Sequence, residues 1–198
     1  MTTPIFSVIF TQANTIGDFN WMIQQPIYNN SLFIFNDNTL CFPKSSSCYC
    51  LSGGGNAVIR NYQCTTSKQL AIGIPTGSTS GFTSLSQIIN NKTAKEFIDE
   101  SINRIKLLLK NNYDCIFYSG SNDNSGNLGT GIFNVDKSVV QYITEQIHSL
   151  GIYNGNYTSL SQFYKHNDKN TKINNTINKY YILLLIILIV LLFLYFTL

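Results

Sequence analysis

A chain of 198 residues with 44% hydrophobic and 13% aromatic residues can bury one sizeable core, which predicts a single globular domain with extensions and leaves little room for a second. Only 12% of residues are charged and the net charge is +3, with Lys165, Lys169, Lys172 and Lys179 gathering much of the excess near the C-terminus. No basic stripe interleaved with aromatic residues marks the domain, so nucleic acid is excluded as an expected partner.

In chain order, "IFSVIF" over residues 5–10 and "SLFIF" over residues 31–35 are runs of branched and aromatic residues bounded by turn formers, and they predict buried strands. Cysteines stand at Cys41, Cys48, Cys50, Cys64 and Cys115. The opening "MTTPIFSVIF" carries neither the basic start nor the cleavage site of a secretory signal, so a reducing compartment and free thiols are expected. The C-x6-C-x-C spacing fits none of the paired C-x-x-C zinc frameworks, and neither a metal nor another cofactor is expected. Sequons at Asn29, Asn91, Asn156 and Asn174 are of the kind chance produces in an Asn-rich chain.

Gly53, Gly54 and Gly55 precede a short apolar stretch that predicts a helix from Asn56, with Arg60 either meeting an anion or lying on the surface. "LAIGI" over residues 70–74 predicts a third strand, stopped by Pro75. Residues 93–110 form the clearest helix. Ala94, Phe97, Ile98, Ile102, Ile105, Leu108 and Leu109 make one stripe at three-and-four spacing, Thr93 and Glu96 form a capping-box pattern, and Glu100 is placed to pair with Arg104. "CIFYS" over residues 115–119 predicts a fourth strand, and a second helix starting near Asp136 carries Val139, Val140, Ile143, Ile147 and Leu150 on one face. An amphipathic helix feeding a buried strand is the unit of an α/β fold, and residues 1–150 are expected to form a central mixed sheet flanked by helices.

Residues 151–179 turn polar and read as a tether. Residues 180–198, "YYILLLIILIVLLFLYFTL", hold no charge and reach roughly 28 Å as a helix, enough for a bilayer core. With lysines before it and tyrosines near its ends, this segment predicts a tail anchor whose preceding domain faces the cytoplasm, on a host or a virion membrane.

Four glycine- or asparagine-bearing loops follow predicted strands or precede helices: Asn36 to Asn38, Gly53 to Gly55, Pro75 to Gly77, and residues 120–133. In an open α/β sheet such loops converge at the carboxyl ends of the strands, where glycine lets backbone N–H groups approach phosphate oxygens. Taken in order, "FNDN", "GGGNAVI", "GIPTG" and "LGTGIF" resemble the macro domain, a module that binds ADP-ribose. They are more similar still to uncharacterised proteins of large DNA viruses and phages, over roughly residues 6–150. The resemblance implies a three-layer macro-like fold. It implies that Asn36 and Asn38 contact the ribose or adjoining groups, that Gly53, Gly54, Gly55 and Asn56 meet the distal end of the ligand, and that Gly129, Thr130, Gly131, Ile132 and Phe133 wrap the diphosphate.

Hydrolases of that family carry N-x-x-N and an acidic residue after the glycines, whereas here the asparagines are two apart and Asn56-Ala57-Val58 follows. The resemblance therefore implies binding without efficient turnover. The first alternative is a viral membrane protein whose α/β domain is a protein-interaction module with no ligand. The second is a hydrolase acting on ADP-ribose derivatives, in which Asn36, Asp37 or Asn38 positions water. Beyond these residues the catalytic inventory is thin: Asp37 and Asp123 read as turn formers, His148 lies on a predicted helix face and His166 in the tether.

Overall fold

The computed structural model describes residues 3–42, 48–65, 68–131 and 133–164, and in it each of the four apolar runs becomes a strand of one sheet. Strands β1 (Pro4–Val8), β2 (Ser31–Asn38), β3 (Ala71–Gly77) and β6 (Cys115–Ser119) are joined by β7 (Ile152–Asn156), in the spatial order β3-β2-β6-β1-β7. Every neighbouring pair runs parallel. The sheet is therefore parallel where a mixed one was expected, in keeping with strands that are apolar on both faces and need cover on both. The antiparallel pairing of β4 (Ile88–Ile89) with β5 (Lys92–Thr93) stands apart as a small ribbon.

Strand alternation sorts the core into two chemistries. Ile5, Leu32, Ile34, Ile72, Ile74, Ile116 and Tyr118 share one cluster with Ile98, Ile102 and Ile105 of helix α2 (Ala94–Leu108) and Val139, Ile143 and Ile147 of helix α3 (Lys137–His148). On the opposite face Phe6, Phe33 and Phe117 meet Tyr28, Tyr157 and Phe19 of the short helix α1 (Phe19–Met22), with ring centroids 4.9 Å apart for Phe117 and Tyr157. The aliphatic face packs against amphipathic helices and the aromatic face against loops and single turns, whose irregular spacing large rings fill well.

The expected caps are present. Thr93 accepts from the Glu96 N–H at 3.2 Å while Glu96 accepts from the Thr93 N–H at 2.7 Å, and Asp136 caps α3 through the Ser138 N–H. Thr93→Ala removes one half of this reciprocal arrangement and should lower stability by about 1 kcal/mol in urea denaturation. Glu100 does not pair with Arg104 as its spacing predicted. It meets Lys92 at 2.9 Å, and Arg104 donates to the Tyr49 hydroxyl at 2.8 Å.

The chain divides into two units, Met1–Thr158 and Ser159–Leu198. Residues 151–158, read as the start of a tether, belong to the first unit because β7 pairs with β1. An edge strand needs few apolar residues, and "IYNGN" offers only two. The rest of the tether from residue 165, His166 and the predicted membrane span over residues 180–198 lie outside the described residues. Among the described residues no helix is long and apolar enough to cross a membrane.

Four of the five cysteines are paired. Cys41 bonds Cys48 and Cys50 bonds Cys64, which corrects the expectation of free thiols. Cys115 remains a buried thiol beside the Ser31 hydroxyl, and burial pushes its pKa up.

Candidate functional site

A cleft of about 500 Å³ opens at the carboxyl ends of the strands. This is the size of pocket that takes a drug-sized ligand. Its wall takes Phe10 from the loop after β1, Asn36, Asp37 and Asn38 from the end of β2, and Thr76 from the end of β3. Gly54, Gly55 and Asn56 come from the start of a 3-10 helix (Gly55–Cys64), and Thr130, Gly131 and Phe133 from the loop after β6. Residues scattered over more than a hundred positions of sequence thus meet because parallel strands deliver their carboxyl-end loops to one rim.

Within that wall the glycines divide. Gly53 is not part of the lining: its N–H donates to the Ala57 carbonyl at 2.8 Å, and a Cβ there would meet the Arg60 guanidinium at 2.8 Å. Gly54 and Gly55 carry the lip, Gly55 at φ +55°; Gly54 caps the helix and Gly55 opens its first turn, where the leading N–H groups have no carbonyl partner within the helix. Gly129 likewise turns inward, its N–H donating to the Ser119 carbonyl at 2.9 Å, while Gly131 faces open space. Ile132 lies outside the described residues.

The three residues at the end of β2 do different work. Asn36 donates through Nδ2 to the Gly129 carbonyl, tying β2 to the loop after β6, and its Oδ1 is buried without a partner among the described residues. Asn38 Oδ1 accepts from the N–H groups of Leu40 and Cys41 at 2.9 and 2.8 Å, so it shapes the turn that follows.

Asp37 exposes none of its side chain. Its Oδ1 accepts from Arg60 Nη2 at 2.6 Å, from Arg60 Nε at 3.1 Å and from the Asn38 N–H at 2.8 Å; Arg60 is itself buried, so it does not lie on the surface, and the anion it meets is the chain's own Asp37. Asp37 sits over Gly73, where a Cβ would meet its Oδ2 at 2.6 Å. Burial pushes the Asp37 carboxyl above its ordinary range and the Arg60 guanidinium pulls it back. The carboxylate lines the cleft, is held on one oxygen by the arginine, and leaves its Oδ2 buried without a hydrogen-bond partner among the described residues.

Several lining residues escaped the sequence reading: Phe10, Asp18, Phe19, Ala57, Val58 and Arg60. The signal for Phe10 was present, since the carboxyl-end rule applies to the first strand as well as the others. Asp18 is engaged by the N–H groups of Asn14, Asn20 and Trp21, which makes it the clasp of its own loop. His148 is no part of the lining and does not lie on a solvated helix face. It stacks on Tyr153 with centroids 4.1 Å apart and sits 2.8 Å from the Tyr118 hydroxyl through Nε2, and burial pushes its pKa below the ordinary value. Asp123 is exposed, and hydrogen bonds from Ser121 and Ser125 hold its pKa down to about 2.

Among the described residues no group of three His, Cys, Asp or Glu side chains converges to hold a metal ion. No family model, no curated protein and no solved structure matches the chain.

Proposed function

We propose that the chain is a membrane-anchored, macro-like three-layer module that binds ADP-ribose or a related nucleotide diphosphate without efficient turnover. The observation that carries this reading is the meeting of Gly54 and Gly55, Thr130 and Gly131, and Asn36 around one cleft. Glycine backbones at a helix start and in the facing loop suit an anionic diphosphate, because N–H groups approach it without an intervening side chain. The unpartnered Asn36 Oδ1 suits a ligand hydroxyl, which would satisfy a buried acceptor. The exposed ring of Phe10 and that of Phe133 supply apolar surface beside these polar groups, as a nucleoside requires. The anchor is the share of the proposal that rests on residues 180–198 alone.

Isothermal titration of the detergent-solubilised chain with ADP-ribose, ADP and NAD tests the reading. Saturable binding of at least one is expected, and binding should weaken more than about tenfold, roughly 1.4 kcal/mol, in Gly131→Val. Gly131 lines the cleft and a Cβ there meets nothing within 4 Å among the described residues, so a valine adds bulk at the lining without displacing the fold. Absence of saturable binding at millimolar concentration of all three ligands overturns the reading and leaves the cleft to a protein partner.

A further inference from the structure

The glycine lip of the cleft is enclosed by a covalent loop. The Cys50–Cys64 disulfide, at a sequence separation of 14, brackets Gly53, Gly54, Gly55 and the entire 3-10 helix that follows them. A 3-10 helix of ten residues is far longer than the usual three or four, because its hydrogen-bond geometry is poor and its side chains eclipse. Such a helix needs an external clamp, and this one has two. The disulfide joins its last residue to Cys50, and Arg60 in its interior donates through Nη1 to the Leu51 carbonyl at 3.0 Å while holding Asp37 at the end of β2. Outside the helix's own bonds the lip is held by Gly53 N–H to the Ala57 carbonyl, Ala57 N–H to the Gly54 carbonyl, and the Ser52 hydroxyl to the Val58 carbonyl.

The two disulfides differ in access. Cys50 and Cys64 are both exposed, whereas Cys41 of the other pair is buried. Exposed disulfides are the ones thiols reach first, since exchange requires in-line attack on a sulfur.

We propose that the Cys50–Cys64 disulfide is a positioning element for the glycine lip, and that its reduction by a dithiol loosens the lip and weakens ligand binding, making the cleft redox-responsive. The redox step balances: one dithiol thiolate attacks a protein sulfur to give a mixed disulfide, and its second thiol releases the protein. The cysteine pair gains two electrons and two protons, and the dithiol leaves as its cyclic disulfide. The Arg60–Asp37 ion pair stays in place, so the effect is confined to residues 51–60 and the sheet persists. The consequence for binding rests on the nucleotide-diphosphate reading above; the consequence for the lip does not.

The full chain in detergent is measured oxidised and after dithiothreitol, with the free thiols counted by mass spectrometry. Hydrogen exchange of peptides covering residues 51–60 should accelerate at least about tenfold once Cys50 and Cys64 are reduced, while peptides from β2 and α2 keep their protection. ADP-ribose affinity should fall about tenfold in the same step. The Cys50→Ser/Cys64→Ser variant should match the reduced protein and ignore dithiothreitol, and Cys41→Ser/Cys48→Ser should keep the response. Unchanged exchange over residues 51–60 after complete reduction overturns the proposal whether or not ADP-ribose binds, and so does loss of the far-ultraviolet circular dichroism signal, because the effect would then be global. Faster exchange in a chain that binds no ADP-ribose in either state keeps the lip clamp and overturns the ligand reading instead.

Discussion

Ile102→Asp should lower the melting temperature by about 10–20 °C in scanning calorimetry. Ile102 is 2% exposed at the middle of α2, in the aliphatic cluster with Ile98, Ile105, Ile72 and Ile74. An aspartate there loses the apolar contacts and places a carboxylate where nothing pairs with it, a change at the severe end of single substitutions at roughly 4–5 kcal/mol. For a domain of this size each kcal/mol is worth about 2–4 °C, and the whole stability of a domain is only about 5–15 kcal/mol. Lys106→Ala on the exposed side of the same helix serves as the control and should fall within about 0.5 kcal/mol of the parent. An unchanged melting temperature for Ile102→Asp would take α2 out of the core.

That helix was legible because each signal in it agreed with the others. The stripe, the Thr93–Glu96 cap and the polar far side all prescribe one helix with one buried face, and burial of Ala94, Phe97, Ile98, Ile102 and Ile105 follows. The strands β1, β2, β3 and β6 were legible for the same reason, since an unbroken apolar run of five residues has few other uses. The relative direction of the strands was not, because apolarity says that two faces are covered without saying how the chain crosses between them. β7 was hidden because an edge strand half exposed to solvent needs little apolar surface.

At the cleft the legible share was composition and the illegible share was direction. Glycines and asparagines at strand ends marked the rim, and Asn36, Gly54, Gly55, Asn56, Thr130, Gly131 and Phe133 do line one cavity. Whether a given glycine turns its N–H outward depends on contacts distant in sequence. The Gly53 N–H is taken by the Ala57 carbonyl beneath the Arg60 guanidinium, and the Gly129 N–H by the Ser119 carbonyl, while the Gly129 carbonyl accepts from Asn36. The disulfides were illegible because pairing needs Cα atoms brought close, 5.0 and 5.8 Å here, which spacing alone does not reveal. Arg60 was half legible: one cation on a short polar helix reads equally as a surface residue or as a partner for an anion, and only the placing of Asp37 on the strand beside it decides between them.

Asp37→Ala should destabilise the chain by about 3–5 kcal/mol in urea denaturation, because it leaves the buried Arg60 guanidinium with no anion. The Leu51 carbonyl remains as a partner to Nη1, but Nε and the second Nη lose their acceptor together. Arg60→Met should cost less than Asp37→Ala, since a raised carboxyl pKa lets Asp37 take up a proton when its cation is gone. The sign of the pH dependence follows. In Arg60→Met the neutral carboxyl is the form the fold prefers, so stability should be greatest below the unfolded Asp pKa of about 3.9 and fall as pH rises through the folded value. Asp37→Ala combined with Arg60→Met removes both charges and should recover much of the loss, giving a coupling energy of the same order as either single change. Additive single effects in that cycle would mean that the two side chains act independently, and that the lip is not held to the end of β2 through this pair.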